Sequence, residues 1–373
     1  MDEVVRYMYR LRPGRTAEAA LLAEWGRCRW LWNEAVHQQK SGQMPTFARL
    51  GKLLTQARAK LPWLREGSQV AQQQTLRDYA QALDRSFKVK VHGRPKVKSR
   101  KTSLPSLEYT TRGFSVRDGR LVLPKGVTVP VVWSRELPSP PTSVRVYRDS
   151  LGHWYASFVI RREITAYPEG EGGIGIDWGV STTATTTDPV FDLPYLGYRK
   201  RCAAELAKAQ RKMARRHRNG RPQSRGYSEA KRQAARLAKK AARQTVHDSR
   251  GWAKRVVATH DLIAVEDFKP RFLAKSTMAR KAADAAMGAA KRELVDRAVR
   301  AGRKVVMVRP AYTTMTCSSC FARAKKRLEL HERNFRCEDC GFADSRDRNA
   351  ARVILAVAER GHVGVEDVRQ SDR

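Results

Sequence analysis

Residues 173–180 read GIGIDWGV, and STTATTT follows at 181–187. The alternation of glycine with β-branched residues, then the run of threonines, predicts two paired strands. Asp177 stands inside the first of them, between Ile176 and Trp178. A carboxylate among apolar strand neighbours is costly unless something outside the strand compensates it. Working outward, LIAVED at 262–267 reads as a buried strand that ends on Glu266, residues 304–308 as a third strand, and Ala282 to Ala301 as a helix between them. Asp347 opens a last helical stretch, DRNAARVIL. Strands in pairs and then in alternation with helices predict a mixed α/β sheet interrupted by insertions.

Each acidic residue alone has an innocent reading, and Asp347 in particular could be a helix N-cap. Together, Asp177, Glu266 and Asp347 fit the RNase H fold, in which carboxylates from the first strand, a later central strand and the final helix converge on two divalent metal ions. Hard oxygen ligands are what Mg²⁺ takes, and two such ions suit phosphodiester hydrolysis by activating water and stabilising the leaving 3′ oxygen.

Cys317-Ser-Ser-Cys320 is followed, after sixteen residues, by Cys337-Glu-Asp-Cys340. This spacing is that of a tetrahedral zinc site, and four thiolates leave no place for an activated water, so the predicted role is structural. His331 lies between the pairs and reads as a solvated loop residue; Cys28 and Cys202 read as structural thiols.

The rest of the chain is dominated by positive charge: 74 Lys and Arg against 37 Asp and Glu, a formal net charge of +37 over 373 residues. Self-repulsion on that scale calls for a polyanionic partner. The excess is concentrated between Arg199 and Val257, with 20 Lys and Arg against 3 Asp and Glu, on alanine-rich helical sequence interrupted at HRNGRPQSRG. Phosphates are the natural neutralising groups for such a one-signed surface. No apolar stretch long enough for a membrane span and no signal peptide is present, so the expected location is the cytoplasm. Upstream, residues 1–12 alternate as a strand that must pair elsewhere. Helical spacing runs from Thr16 to about Lys88 with Trp25 and Trp32 assigned to packing, and Lys88 to Lys101 reads as a basic connecting loop. Residues 107–161 carry short strands separated by turn signals and predict a small β-barrel or sandwich.

These motifs resemble the TnpB family, transposon-encoded nucleases related to type V CRISPR effectors. VRPAYTTMTCSSC, the ribbon and CGFADSRDRNAARVIL resemble its C-terminal signature, while GIGIDWGV, LIAVEDFKP and SRDRNAA resemble its three RuvC motifs. WGRCRWLWNEAV, GRPKVKSRK and DGRLVLPKG resemble its N-terminal half. The resemblance implies an α/β and β multidomain protein. It would have an RNase H-like (RuvC) nuclease domain at 169–310 and 344–373 with a basic helical insertion, and a zinc ribbon at 311–343. A β-barrel wedge module would be built from 1–14 and 96–168, with a helical recognition lobe inserted at 15–95. It further implies an RNA-guided DNA endonuclease acting beside a short flanking motif, with Asp177, Glu266 and Asp347 holding Mg²⁺ and Cys317, Cys320, Cys337 and Cys340 holding Zn²⁺. Guide RNA and target DNA would be its partners; a monomer is favoured, and the sequence leaves open whether one or two chains bind each RNA. Two other functions use the same scaffold: a guided repressor that has lost its nuclease, against which an intact Asp, Glu, Asp set argues, and a strand-transfer transposase. Trp178, Phe321 and Met287 stand where the family usually has Leu, Gly and an aromatic, and Asp344 departs from its usual Asp-Arg-Asp spacing.

Overall fold

The computed structural model describes residues 2–42, 45–89, 91–163, 168, 170, 172–268, 279, 281, 285–326, 329 and 332–371. The chain divides into two compact units, Met1–Glu163 and Ile164–Arg373.

In the first unit β1 (Asp2–Leu11) leads into α1 (Arg15–Lys40), α2 (Phe47–Lys60), α3 (Pro62–Arg65) and α4 (Gln69–Lys88). Then come β2 (Ser106–Thr110), β3 (Ser115–Arg117), β4 (Arg120–Leu123), β5 (Val127–Val132), β6 (Ser143–Arg148) and β7 (Trp154–Glu163). The N-terminal strand finds its partner at the far end of the unit: β1 runs antiparallel to β7 from Asp2 opposite Glu163 to Leu11 opposite Trp154. The seven strands form one sheet in the order β2-β6-β7-β1-β5-β4-β3. Its two edge strands, β2 and β3, are separated in sequence only by the turn Thr111–Gly113 and Phe114, so the sheet has to curl until its edges approach. Among the described residues those edges do not pair. Of the expected small β-barrel or sandwich, the structure forms a curled half-barrel, because the segment between the edge strands spans the seam instead of a ladder.

α1 is 26 residues long, about 39 Å at 1.5 Å per residue, and serves two cores. Leu21, Trp25 and Cys28 pack on the sheet with Tyr9, Leu107 and Phe158. Leu31, Trp32, Ala35 and Val36 pack one turn further on with Leu50, Leu54, Leu76 and Tyr79 from α2 and α4. Both tryptophans are buried, as their spacing predicts. Trp32 also holds the basic loop: its indole N–H donates to the Lys96 carbonyl at 2.9 Å, and the Lys98 ammonium lies 3.3 Å from its ring centre.

The second unit contains β8 (Gly173–Trp178), β9 (Thr182–Thr186), β10 (Leu193–Pro194), α5 (Tyr198–Arg201), α6 (Ala203–Arg216), α7 (Arg225–Thr259) and β11 (Leu262–Glu266). It continues with α8 (Met287–Arg300), β12 (Lys304–Val308), β13 (Asn334–Arg336), β14 (Ala343–Ser345), α9 (Arg346–Glu359) and α10 (Val365–Ser371). Its main sheet has the order β10-β9-β8-β11-β12, with β8, β11 and β12 parallel and β9 antiparallel to β8. Strand alternation sends Ile174, Ile176, Trp178, Ile263 and Val265 to one face, where α7 and α8 cover them with Trp252, Val256, Val257 and Leu294. The opposite face carries Ala264 and is covered by Val353, Ile354 and Val357 of α9. Residues 282–284 of the expected helix lie outside the described residues; α8 itself begins after Ala286, which takes the left-handed conformation at φ 56°.

α6 and α7 pack together as a helical hairpin that breaks at residues 217–224, inside the interruption read from sequence. Only the C-terminal half of α7 reaches the core. Ala230 and Ala241 are the buried residues of its N-terminal half, and Arg211, Arg215, Lys231, Arg232, Arg236 and Lys240 face solvent. Among the described residues no helix is long and apolar enough to cross a membrane.

α9 approaches β8 backbone to backbone at Gly175, where a Cβ would lie 2.0 Å from the Ala351 carbonyl oxygen. Gly175→Ala must therefore push the helix off the sheet. It should destabilise the protein by about 1–3 kcal/mol or more. Gly51, on the exposed side of α2 with no heavy atom within 4 Å of an added Cβ, is the control. Gly51→Ala should be neutral or stabilising, and paired thermal melts distinguish the two effects.

Candidate active site

Strand alternation alone puts Asp177 and Glu266 on the same face of the sheet, since Gly175 and Ala264, two residues before them, both face α9. β8 and β11 are adjacent and parallel, with Ile176 in register with Val265, so the two carboxylates emerge side by side at the carboxyl ends of their strands. That end of an open sheet is where α/β proteins place their ligand sites. Asp347 arrives from the other direction, in the first turn of α9. The helix starts there because Ser345 caps it, its hydroxyl accepting the Arg348 N–H at 3.2 Å. An acidic residue in this turn is favoured by the helix dipole.

The three groups share one electrostatic environment. Burial, then the neighbouring Glu266 and Asp347 carboxylates, push Asp177 well above the usual carboxylate range. Burial likewise pushes Glu266 up to about 7, against the pull of the Trp178 backbone N–H and the Lys291 ammonium. Lys291 is nearly buried; it donates to the Glu266 carbonyl at 3.0 Å and pairs with Asp267 at 3.1 Å, tying down the end of β11. Arg346 stands 3.5 Å from Asp347 and also favours the charged form of Asp177. Burial and mutual repulsion hold Asp177 and Glu266 toward their neutral forms, so a positive charge at this end of the sheet would favour their ionisation. Asp344 takes no part in the group, being 2.7 Å from Arg352 and accepting the Ser345 N–H at 2.7 Å.

The four cysteines come together as their spacing predicts, with donor atoms all within 4.8 Å of one another. Sulfur–sulfur distances of 3.7 Å (Cys317 to Cys340) and 3.6 Å (Cys320 to Cys337) are far from a disulfide. They match the edge of a tetrahedron with metal–sulfur bonds of about 2.3 Å, which is about 3.8 Å. Two near-identical knuckles build the site. In each, the backbone N–H four residues after the first cysteine returns to that cysteine's carbonyl, Phe321 to Cys317 at 3.0 Å and Gly341 to Cys337 at 3.2 Å. Gly341 has φ 73° and Phe321 has φ 60°. The second knuckle uses glycine for a left-handed turn; the first puts a phenylalanine there, at a cost of about 1–2 kcal/mol, with the Arg360 guanidinium 4.2 Å over its ring. This accounts for the glycine the sequence comparison with the family leads one to expect. His331 lies outside the described residues.

Sequence reading missed Asn349, whose motif position is occupied by a fully buried side chain. Its Oδ1 accepts the Ser318 N–H at 2.9 Å and its Nδ2 donates to the Thr316 carbonyl at 2.7 Å, so α9 docks the first cysteine knuckle directly. A polar residue two positions past Asp347 was the available signal, but its partners are irregular loop atoms that no periodicity announces.

The Glu266 shift has a consequence for stability. Its folded-state pKa of about 7 is raised from an ordinary value near 4.5, so the folded state retains a proton that the unfolded chain releases. The stabilising contribution is full below about pH 4.5 and is lost as pH rises to 7. Glu266→Gln, which cannot ionise, should be the more stable protein above pH 7 in the presence of chelator, and its melting temperature should fall less between pH 5 and 7.5. Identical pH profiles for the two proteins would contradict the buried placement.

Known proteins bear on this site. Residues 157–277 match the family model described as "Probable transposase", and residues 289–354 match "Cas12f1-like, TNB domain". A putative RNA-guided DNA endonuclease of Streptomyces pristinaespiralis is 30% identical over 390 aligned positions, covering 100% of this chain and 95% of the relative. The putative RNA-guided DNA endonuclease InsQ of Escherichia coli (strain K12) is 26% identical, covering 95% of this chain and 92% of its own. The fold is similar to that of the protein in a Cas12f1–sgRNA–target DNA complex, with a TM-score of 0.60 at 12% identity, covering 95% of this chain and 98% of that one. With full-length similarity to these relatives and both family-model matches covering segments that carry the carboxylates and cysteines, the chain belongs to the TnpB family.

Proposed function

We propose that this protein is an RNA-guided, Mg²⁺-dependent DNA endonuclease whose catalytic carboxylates are Asp177, Glu266 and Asp347. The observation that supports the reading is the emergence of Asp177 and Glu266 side by side at the carboxyl ends of β8 and β11, within electrostatic reach of Asp347. The strand order of that sheet, with β9 antiparallel and β11 and β12 parallel to a central β8, supports a RuvC-type RNase H fold. Two Mg²⁺ held there would supply a water nucleophile at neutral pH and a counter-charge for the leaving 3′ oxygen. The chain's own part is to orient three oxygen donors, with Trp178 and Lys291 holding Glu266 from two sides. Relatives over the full length, each named a putative RNA-guided DNA endonuclease, support a guide RNA as partner. In that reading, base pairing between guide and target supplies sequence, and the protein holds the backbone and reads a short flanking motif. The exposed cations of α6 and α7 are suited to phosphate contacts without sequence preference. The curled sheet with β1 is the wedge module and α1 to α4 the recognition lobe.

The cysteine cluster fits Zn²⁺ in a closed, structural site. Cys320→Ser should lose about one zinc per chain by metal analysis and melt at lower temperature, since metal binding stabilises only the folded ribbon. A variant with full zinc and wild-type melting would exclude these ligands.

The function is tested by coexpressing the protein with its flanking genomic DNA, sequencing the copurified RNA, and offering matched target plasmid with Mg²⁺. Cleavage should require the RNA, the match and Asp177, whereas Asp177→Asn should bind target and leave it uncut. Target joined to new DNA would instead identify a strand transferase, which the "Probable transposase" match makes worth measuring. Binding without cutting by the wild type would identify a repressor.

A further inference from the structure

The residue after Asp347 has a partner far away in sequence. Arg348 forks onto Asp192, with Nη1 donating to Oδ1 at 3.0 Å and Nη2 to Oδ2 at 2.8 Å. Nη1 also donates to the Thr186 carbonyl. Asp192 in turn accepts the Thr186 N–H at 2.8 Å and the Thr186 hydroxyl at 3.2 Å. The pair is largely shielded, with the Arg348 side chain 15% and the Asp192 side chain 25% exposed. A two-pronged guanidinium–carboxylate pair fixes direction as well as distance, and it is stronger than neutral hydrogen bonds.

Both ends of this linkage lead to the carboxylate group. Arg348 is bonded to Asp347 along the chain, and Thr186 follows Thr185, which sits opposite Asp177 in the β8–β9 register. The linkage thus runs from Asp347 through Arg348, Asp192, Thr186 and Thr185 to Asp177. The Gly175 contact sets how deeply α9 sits on β8, and Asn349 ties the helix to the first cysteine knuckle. The Arg348 fork adds a tie from the turn that carries Asp347 to the β9 side of the sheet.

We infer that Arg348 and Asp192 are positioning residues that set the separation between the Asp177 and Asp347 carboxylates, and through it the fit of the divalent cation site. The inference rests on the nuclease reading above. Neither residue belongs to the carboxylate group, and they act on it only through the backbone. A shift of about 1 Å in such a group is enough to cost about a hundredfold in rate.

The test uses the full chain with its copurified RNA and the variants Asp192→Asn, Arg348→Gln, Arg348→Lys and the double variant Asp192→Asn/Arg348→Gln. Mn²⁺ binding is measured by calorimetry without DNA, then target affinity, melting temperature and cleavage rate are measured. Loss of the fork should weaken Mn²⁺ binding about tenfold or more, as for other groups that orient metal ligands. It should lower the cleavage rate in step and leave target affinity unchanged. Lysine should fall between, because it keeps the charge without the fork. The double variant should be no worse than the weaker single, as expected of two residues acting as one unit. Asp192 separates positioning from a phosphate contact, since a carboxylate cannot serve an anionic backbone. If Arg348→Gln weakens target binding and Asp192→Asn changes nothing, the arginine is a DNA contact and the inference fails. It also fails if melting temperature and target affinity fall together with Mn²⁺ binding, which is loss of fold. Normal Mn²⁺ binding in both variants overturns the fork alone. A wild type with no Mn²⁺ site dependent on Asp177 overturns the nuclease reading and this one with it.

Discussion

The close seating of α9 on β8 at Gly175 is the constraint on which the second unit depends. An approach in which even a methyl group would collide with the Ala351 carbonyl brings the helix axis nearer to the sheet than ordinary side chains permit. Helix and strand then share one interior, with Val353, Ile354 and Val357 closing over Ala264 and Val308. Because that packing is dense, the first turn of α9 has little freedom, and Asp347 is delivered to the ends of β8 and β11. The same helix holds the cysteine knuckle through Asn349 and the antiparallel strand through Arg348. One short helix therefore joins the carboxylates, the sheet and the ribbon.

Against this rigid frame the carboxylates are locally unfavourable. Desolvation and mutual repulsion oppose the ionised forms of Asp177 and Glu266, while the α9 dipole, Lys291 and Arg346 compensate only in part. Such a group survives because the core on both faces of the sheet supplies the stability. The phenylalanine forced into a left-handed turn in the ribbon is a second, milder case, relieved by the arginine that covers its ring.

Charge divides the molecule in a comparable way. The C-terminal half of α7 is apolar enough to enter the core through Trp252, Val256 and Val257, whereas its N-terminal half and α6 carry exposed cations on alanine scaffolding. Alanine supplies helix propensity without asking for a partner surface, so the hairpin needs no core of its own to remain helical.

The sequence alone was sufficient for the pieces with a local cause. Strand content followed from β-branched runs, the helical hairpin from alanine-rich spacing broken at a Gly and Pro loop, and the metal-type cysteines from their spacing. The misplaced Asp177 was legible because a buried carboxylate violates a local rule. What the sequence could not carry was whatever depends on two distant segments meeting. That β1 would pair with β7 and leave the curled sheet open, that Asn349 would serve loop carbonyls and amides, and that Arg348 would fork onto Asp192 were decided by tertiary packing. Hydrogen-bond partners in irregular backbone leave no period to read, and an arginine next to a predicted catalytic aspartate looks the same in sequence whether it faces solvent, phosphate or a carboxylate. Its direction is set only when α9 settles onto Gly175, where a missing side chain makes room for the helix.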